Sequence, residues 1–347
     1  MLKASFVKRE LIFKEAGGTS RGVLHTKPSW FIKVSDAYGN FGIGECSIIP
    51  GLSIDDNSNL ERKIKDVCLN IDDYAANLHE TLINYPALRF AIEMALLDLS
   101  GKKHLQLFNS KFVDGNDSII INGLIWMGEP DEMLRRINEK LQSGFKCLKL
   151  KVGAIDFDKE LQLLELIRNK YTADDLEIRV DANGAFAVDE AERKLHDLSR
   201  FKIHSIEQPI KAGQINDMRK LCEVSSIPVA LDEELIGINE YETKKELLES
   251  IRPQYIILKP SLLGGFKASD EWIQLAEELN IEWWATSALE ANVGLNAIAQ
   301  WVYTKNNTLR QGLGTGQVFT NNIDSPLYLS GEKLFYDPHA NWANPFQ

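Results

Sequence analysis

From residue 117 onward the chain alternates apolar, β-branched runs with amphipathic stretches whose apolar residues recur three and four apart. The runs are SIIINGLIW (118–126), FKCLKLKV (145–152), LEIRVDA (176–182), IHSIEQP (203–209), IPVALDEE (227–234), QYIILKP (254–260), IEWWATS (281–287) and LRQGLGTG (309–316). Between them lie segments such as DFDKELQLLELIRNKY (156–171), so the pattern spells βα units and a parallel sheet. Eight such units in about 200 residues predict a (β/α)8 barrel, with its active site at the C-terminal ends of the strands. A doubly wound open sheet is the rival. It requires a phosphate-binding fingerprint after its first strand, and INGLIWMGEP is not one. No amphipathic stretch follows the eighth strand, only SPLYLSGEKLFYDP, so the barrel reads as (β/α)7β.

The first 115 residues have a different rhythm. SWFIKVSDAYGNFGIGECS (29–47) predicts a hairpin turning near Tyr38, Gly39 and Asn40, and PALRFAIEMALLDLSGK (86–102) predicts a helix ending at Gly101. AGGTSRG (16–22) reads as a surface loop, with a mobile lid as the alternative. The expected organisation is an α+β capping domain (1–115), a barrel domain (116–320) and a C-terminal segment (321–347) returning to the cap.

Each middle strand ends in an ionisable residue: Lys151, Asp181, Glu207, Asp232 and Lys259, spaced roughly 25 to 30 residues apart as successive βα units require. Any one of them is more simply a solvated strand end; five in succession are not. Asp181, Glu207 and Asp232 come from adjacent strands, and three converging carboxylates repel unless a cation lies between them. Oxygen ligands alone select a hard ion, Mg²⁺, with Mn²⁺ as a substitute. Strands two and six lie opposite each other in an eight-stranded barrel, so Lys151 and Lys259 should face across the mouth and hold a small anionic substrate. Lys149 shares a strand face with Lys151, about 7 Å away. Each should disfavour the other's charge, which makes Lys151 a candidate general base near neutral pH.

Composition narrows the partners. A formal charge of −11 and a pI near 5.2 argue against a nucleic-acid surface or an anionic membrane as partner. No apolar run reaches membrane-spanning length, the N-terminus carries no visible signal peptide, and the four cysteines are widely spaced. A cytoplasmic protein with reduced thiols is expected.

KLK on one strand, Asp, Glu and Asp on the next three, and LKP on the sixth resemble the muconate-lactonizing subgroup of the enolase superfamily. The resemblance implies Mg²⁺-dependent removal of a proton α to a carboxylate; a Lys base with Mg²⁺ is a known pattern of that superfamily. Within the subgroup, RVDANGAF (179–186), SIEQPI (205–210), ALDEEL (230–235), LKPSLLGGF (258–266), SALEANVGLNAIAQW (287–301) and GLGTGQ (312–317) are most similar to the dehydratases that form o-succinylbenzoate from 2-succinyl-6-hydroxy-2,4-cyclohexadiene-1-carboxylate in menaquinone biosynthesis. It further implies that Lys151 removes the proton and assists hydroxide departure, and that Lys259 is the opposing cation. N-succinylamino acid racemases and dipeptide epimerases share the subgroup. The Asp-x-Asp pair that grips a dipeptide amine is replaced here by GLGTGQVF, which has no acid. A non-catalytic barrel is the remaining rival, disfavoured by intact lysines and carboxylates.

Further candidates are weaker. Arg179 shares the inward face of Asp181, as a structural ion pair with the strand-end carboxylates or as a residue near substrate. Asn183 suits turn geometry as well as substrate contact. Ser287 and Glu290 have capping-box spacing, and the same helix start offers a place for a substrate carboxylate. Gly314 offers close backbone approach to a ligand.

Overall fold

The computed structural model describes residues 1–19, 22–126, 128–153 and 155–347. Of the proposed lid, Ser20 and Arg21 lie outside the described residues. The rest of that segment belongs to the tip of a long hairpin, not to a separate loop: β1 (Lys3–Thr19) pairs antiparallel with β2 (Gly22–Ser35), down to Thr19 opposite Gly22. β3 (Phe41–Ser47) completes a three-stranded sheet in the order β1-β2-β3. The turn into β3 falls where expected, with the Tyr38 and Asn40 amides both donating to Asp36 Oδ1.

Four helices follow: α1 (Leu60–Leu69), α2 (Ile71–Ala76), α3 (Leu78–Thr81) and α4 (Pro86–Ser100). Pro86 opens α4 at a position where its missing amide costs nothing. The helix ends at Gly101 as predicted, but that residue is extended (φ −74°), not left-handed. α4 lies against β3 so closely that a Cβ at Gly44 would come 1.8 Å from the Ala91 carbonyl oxygen, which is why this strand carries glycine there.

The barrel is built from β4 (Ile119–Ile120), β5 (Gly123–Ile125), α5 (Pro130–Gln142), β6 (Cys147–Lys151), α6 (Phe157–Lys170), β7 (Glu177–Asp181), α7 (Val188–Ser199), β8 (Ser205–Glu207), α8 (Ile215–Val224), β9 (Val229–Leu231), α9 (Tyr241–Ile251), β10 (Tyr255–Leu258), α10 (Pro260–Leu263), α11 (Phe266–Glu278), β11 (Glu282–Ala285) and α12 (Asn292–Thr304). Strands β5 to β11 form one parallel sheet in chain order. Parallel bridges from Thr286 to Gly312 and from Ile121 to Gln311 close it, so residues 311–312 serve as a very short eighth strand. A 3₁₀ turn over Gly314–Gln317 follows in place of an eighth helix. The hairpin β12 (Leu327–Ser330) and β13 (Lys333–Tyr336) pairs with β4, and Trp342 and Phe346 then pack beside Leu11, Phe13 and Phe31 of the cap.

Strand alternation separates the two faces of CLKLKV. Leu148, Leu150 and Val152 face the layer between sheet and helices, while Lys149 and Lys151 point inside and are buried. Among the described residues no helix is long and apolar enough to cross a membrane.

The cap docks by completing barrel helices. Arg89 of α4 donates to the Leu263 and Gly264 carbonyls at the end of α10, and Glu93, one turn on, accepts from the Phe266 and Lys267 amides that open α11. Glu45 of β3 accepts from the Ala291 and Gly294 amides (2.7 and 2.8 Å) at the start of α12. These are the groups a helix cannot satisfy by itself, and a carboxylate suits an N-terminus on charge as well.

Candidate active site

Register brings the strand-end residues together. Lys151 lies opposite Asp181, and Asp181 opposite Glu207, while Asp232 and Lys259 immediately follow β9 and β10. Lys151 donates to Asp181 Oδ2 (2.5 Å) and Asn183 Oδ1 (2.8 Å). Lys149 is ion-paired with Asp181 (2.8 Å) and donates to Glu207. Lys259 donates to Asp232 and stands 3.5 Å from Glu207.

The three lysines differ in balance. Burial lowers the Lys151 ammonium below its usual value against the pull of Asp181, and the Lys149 charge adds to the lowering. For Lys149, burial is overcome by Asp181 and Glu207 together, so it is raised, opposite to the mutual lowering the sequence suggested. Burial is likewise outweighed at Lys259, chiefly by Asp232, and its pKa rises. Burial also opposes charge on Asp181, but Lys149 and Lys151 hold it well below the usual carboxylate range. Glu207 goes the other way: burial, with the Asp181 charge beside it, pushes it well above.

As they lie, each of the three carboxylates engages a lysine, and among the described residues no three ligand-type side chains form a closed metal cage. The donor set nevertheless fits a hard divalent cation. Asp181, Glu207 and Asp232 are almost wholly buried at adjacent strand ends, and Glu207 Oε1 accepts no hydrogen bond. A carboxylate driven toward its neutral form by burial and a like charge is one that a cation would return to its ionised form.

A cavity of about 170 Å³ sits above these groups, between the cap and the barrel mouth. Lys149, Lys151 and Lys259 line it, with Asn183, Ser287 and Gly314. Arg179 does not. It lies one layer deeper, bonded to Glu177 and the Arg310 carbonyl and stacked on Trp284, so the ion pair it makes is with Glu177 and not with the strand-end carboxylates. Asn183 takes the left-handed turn conformation (φ +47°), and its side chain bridges Lys151 and Glu233 at the edge of the cavity.

The capping-box reading of Ser287 and Glu290 is incorrect. α12 starts four residues later than that spacing implies, at Asn292, and its first amides are taken by Glu45. That carboxylate fills the place suggested for a substrate carboxylate. Ser287 instead bonds Glu290 (2.6 Å) and accepts from Thr315 (2.7 Å).

Several lining residues escaped the sequence reading, among them Asn122, Trp126, Thr286, Leu289 and Thr315. Asn122 Oδ1 and Thr286 Oγ1 are buried without a hydrogen-bond partner, which makes them polar handles for a ligand. Thr286 directly follows β11, where the repeat that exposed the charged residues also pointed, whereas Asn122 precedes β5 and carries no such signal.

Residues 132–327 match the family of enolase C-terminal domain-like proteins, and the chain belongs to that family, within the enolase superfamily. Over 96% of its length it is 47% identical to the o-succinylbenzoate synthase of Desulfotalea psychrophila, covering 98% of that protein. The crystal structure of MenC from Desulfotalea psychrophila superposes with a TM-score of 0.84 at 44% identity, over 96% of this chain and 99% of that one. A dipeptide epimerase from Enterococcus faecalis, solved with Mg and the dipeptide L-Leu-L-Tyr, shares the fold at 21% identity (TM-score 0.83, 96% of each chain).

Proposed function

We propose that this chain is a carbon–oxygen lyase that dehydrates 2-succinyl-6-hydroxy-2,4-cyclohexadiene-1-carboxylate to o-succinylbenzoate, a step of menaquinone biosynthesis. The observation that carries the reading is a single cavity lined by Lys151 and Lys259 and, among the described residues, by no carboxylate. Such a lining suits an anionic substrate and offers nothing to the amine of a dipeptide. The high identity to an o-succinylbenzoate synthase supports the same conclusion.

Lys151, lowered by burial, is the base: its neutral amine takes the proton α to the substrate carboxylate, and its ammonium then returns that proton to the departing hydroxide as water. Asn183 orients the amine. Lys259, raised by Asp232, stays protonated and faces the developing negative charge as a fixed cation. Lys149 holds Asp181 and Glu207 and keeps a positive charge beside the base. Asp181, Glu207 and Asp232 would hold Mg²⁺, or Mn²⁺ in its place, which when bound supplies charge stabilisation for the carboxylate of the intermediate. The proposed division of the chain is a capping domain over 1–115, the catalytic barrel over 116–320, and a C-terminal segment over 321–347. Its four cysteines are all unpaired, which supports a reducing cytoplasmic setting.

Racemization of N-succinylamino acids is the second reading, favoured by the presence of a lysine from each side in one cavity. The test is loss of the cyclohexadiene and appearance of the aromatic product with Mg²⁺. Chelation should abolish turnover, and Lys151→Met should lower kcat at least about hundredfold while folding normally. Turnover in metal-free enzyme, or a Lys151→Met variant near the wild-type rate, would refute the assignment.

A further inference from the structure

Lys27 is the least expected charge in the molecule. It lies on β2 of the cap, wholly buried, and among the described residues no carboxylate forms an ion pair with it. Its ammonium donates to the Ser47 hydroxyl and, across the domain boundary, to the Leu289 carbonyl (2.8 Å). The charges of Glu45 and Glu290 offset part of the cost of burying it.

One end of this contact, Leu289, lines the cavity, and the other lies on the strand whose start lines it. Gly22, Val23 and Leu24, a few residues before Lys27 on the same strand, line one side, and Thr286, Ser287 and Leu289 line another. Leu289 is left-handed (φ +61°), a conformation that a leucine keeps only where its surroundings impose it. The surroundings here are polar and closed: Leu289 donates its amide to Ser287, Ser287 bonds Glu290, and Glu290 accepts from Ser261, two residues after Lys259. From the cap, Lys27 donates to the Leu289 carbonyl.

We propose that Lys27 is a positioning residue for substrate binding, pinning the cap strand that carries Val23 and Leu24 to the barrel segment that carries Leu289 and so fixing the width of the cavity. The inference rests on the dehydratase reading only for its choice of substrate. Lys27 touches neither the strand-end carboxylates nor Lys151, so its loss should act on binding and leave the chemistry alone.

Lys27→Met keeps the length of the side chain and removes its charge and its bonds. The variant is expected to raise KM for the cyclohexadiene at least about tenfold, the loss of a charge-assisted hydrogen bond, with kcat within about threefold and the Mg²⁺ dependence unchanged. Lys27→Arg, which restores a buried donor, should recover part of the KM. A purely structural role would lower the denaturation midpoint without moving the KM of the folded enzyme, and that result overturns the proposal. So does a fall in kcat at constant KM. Should Lys27→Met fail to fold, Leu289→Gly is read instead: it keeps Lys27, removes the wall side chain and is expected to raise KM similarly, and an unchanged KM there overturns the idea. If the wild type racemizes N-succinylamino acids and leaves the cyclohexadiene untouched, the dehydratase reading fails, and the Lys27 variants are then judged on KM for the racemized substrate.

Discussion

At the scale of single residues, Lys149 and Lys151 show how one strand face assigns two roles to one side-chain type. They differ by two positions, yet Lys149 reaches two carboxylates and Lys151 reaches one carboxylate and an amide. The first is held charged and the second is lowered by burial. A positive charge that close is part of what keeps Lys151 lowered. Lys149→Met removes it and also leaves Asp181 freer to favour the Lys151 ammonium, so both effects raise the pKa of the base. As the proposed base, Lys151 works when neutral, hence the acidic limb of the pH profile of kcat/KM should move to higher pH in the variant. A limb that stays put, or moves toward acid, would mean that Lys149 does not tune Lys151.

At the scale of elements, the LLGGF segment explains a feature that the sequence displays but does not account for. Gly264 has φ +96° and ends α10, and a Cβ there would fall 1.6 Å from Arg89 Nη2. Gly265, at φ +99°, would meet Glu93 Oε2 at 2.0 Å. The two glycines make room for the side chains that cap α10 and α11. Gly264→Ala should therefore cost about 2 kcal/mol or more, from backbone strain together with a displaced Arg89, read as a lower denaturant midpoint at unchanged slope. An alanine variant as stable as the wild type would show that the contact is not needed. The same elements mark the border of what was legible in the sequence. Strand ends were legible because Lys151, Asp181, Glu207, Asp232 and Lys259 repeat with the βα period, and periodicity is a local signal. The contacts of Arg89, Glu93, Glu45 and Lys27 join residues 173 to 262 positions apart, with no period to betray them. Ser287 and Glu290 were misread for a related reason: their spacing is that of a capping box, but the partner that decides the helix start is Glu45, in another domain.

At the scale of the whole molecule, these long-range bonds bear on how the chain unfolds. A barrel with a separate cap is an obvious candidate for two transitions, since domains with modest polar interfaces commonly open independently. Here the cap supplies N-terminal acceptors to α11 and α12 and donors to the end of α10, in buried surroundings. Removing the cap would leave those amides and carbonyls without partners, each costing about 1–3 kcal/mol if it stayed buried, so the barrel would not keep its present form alone. Nor would the cap, because Trp342 and Phe346 at the far end of the chain complete its packing around Leu11, Phe13 and Phe31. Cap and barrel should therefore open as one cooperative unit. In native-state hydrogen exchange read by mass spectrometry, peptides from β2 and β3 and peptides from β6 to β8 should converge on the same opening free energy as denaturant is raised. If the three carboxylates hold Mg²⁺ as proposed, the ion binds only the folded barrel and should raise both together. Cap peptides that exchange through a distinctly cheaper opening, unaffected by Mg²⁺, would show that the shared helix caps do not couple the two domains.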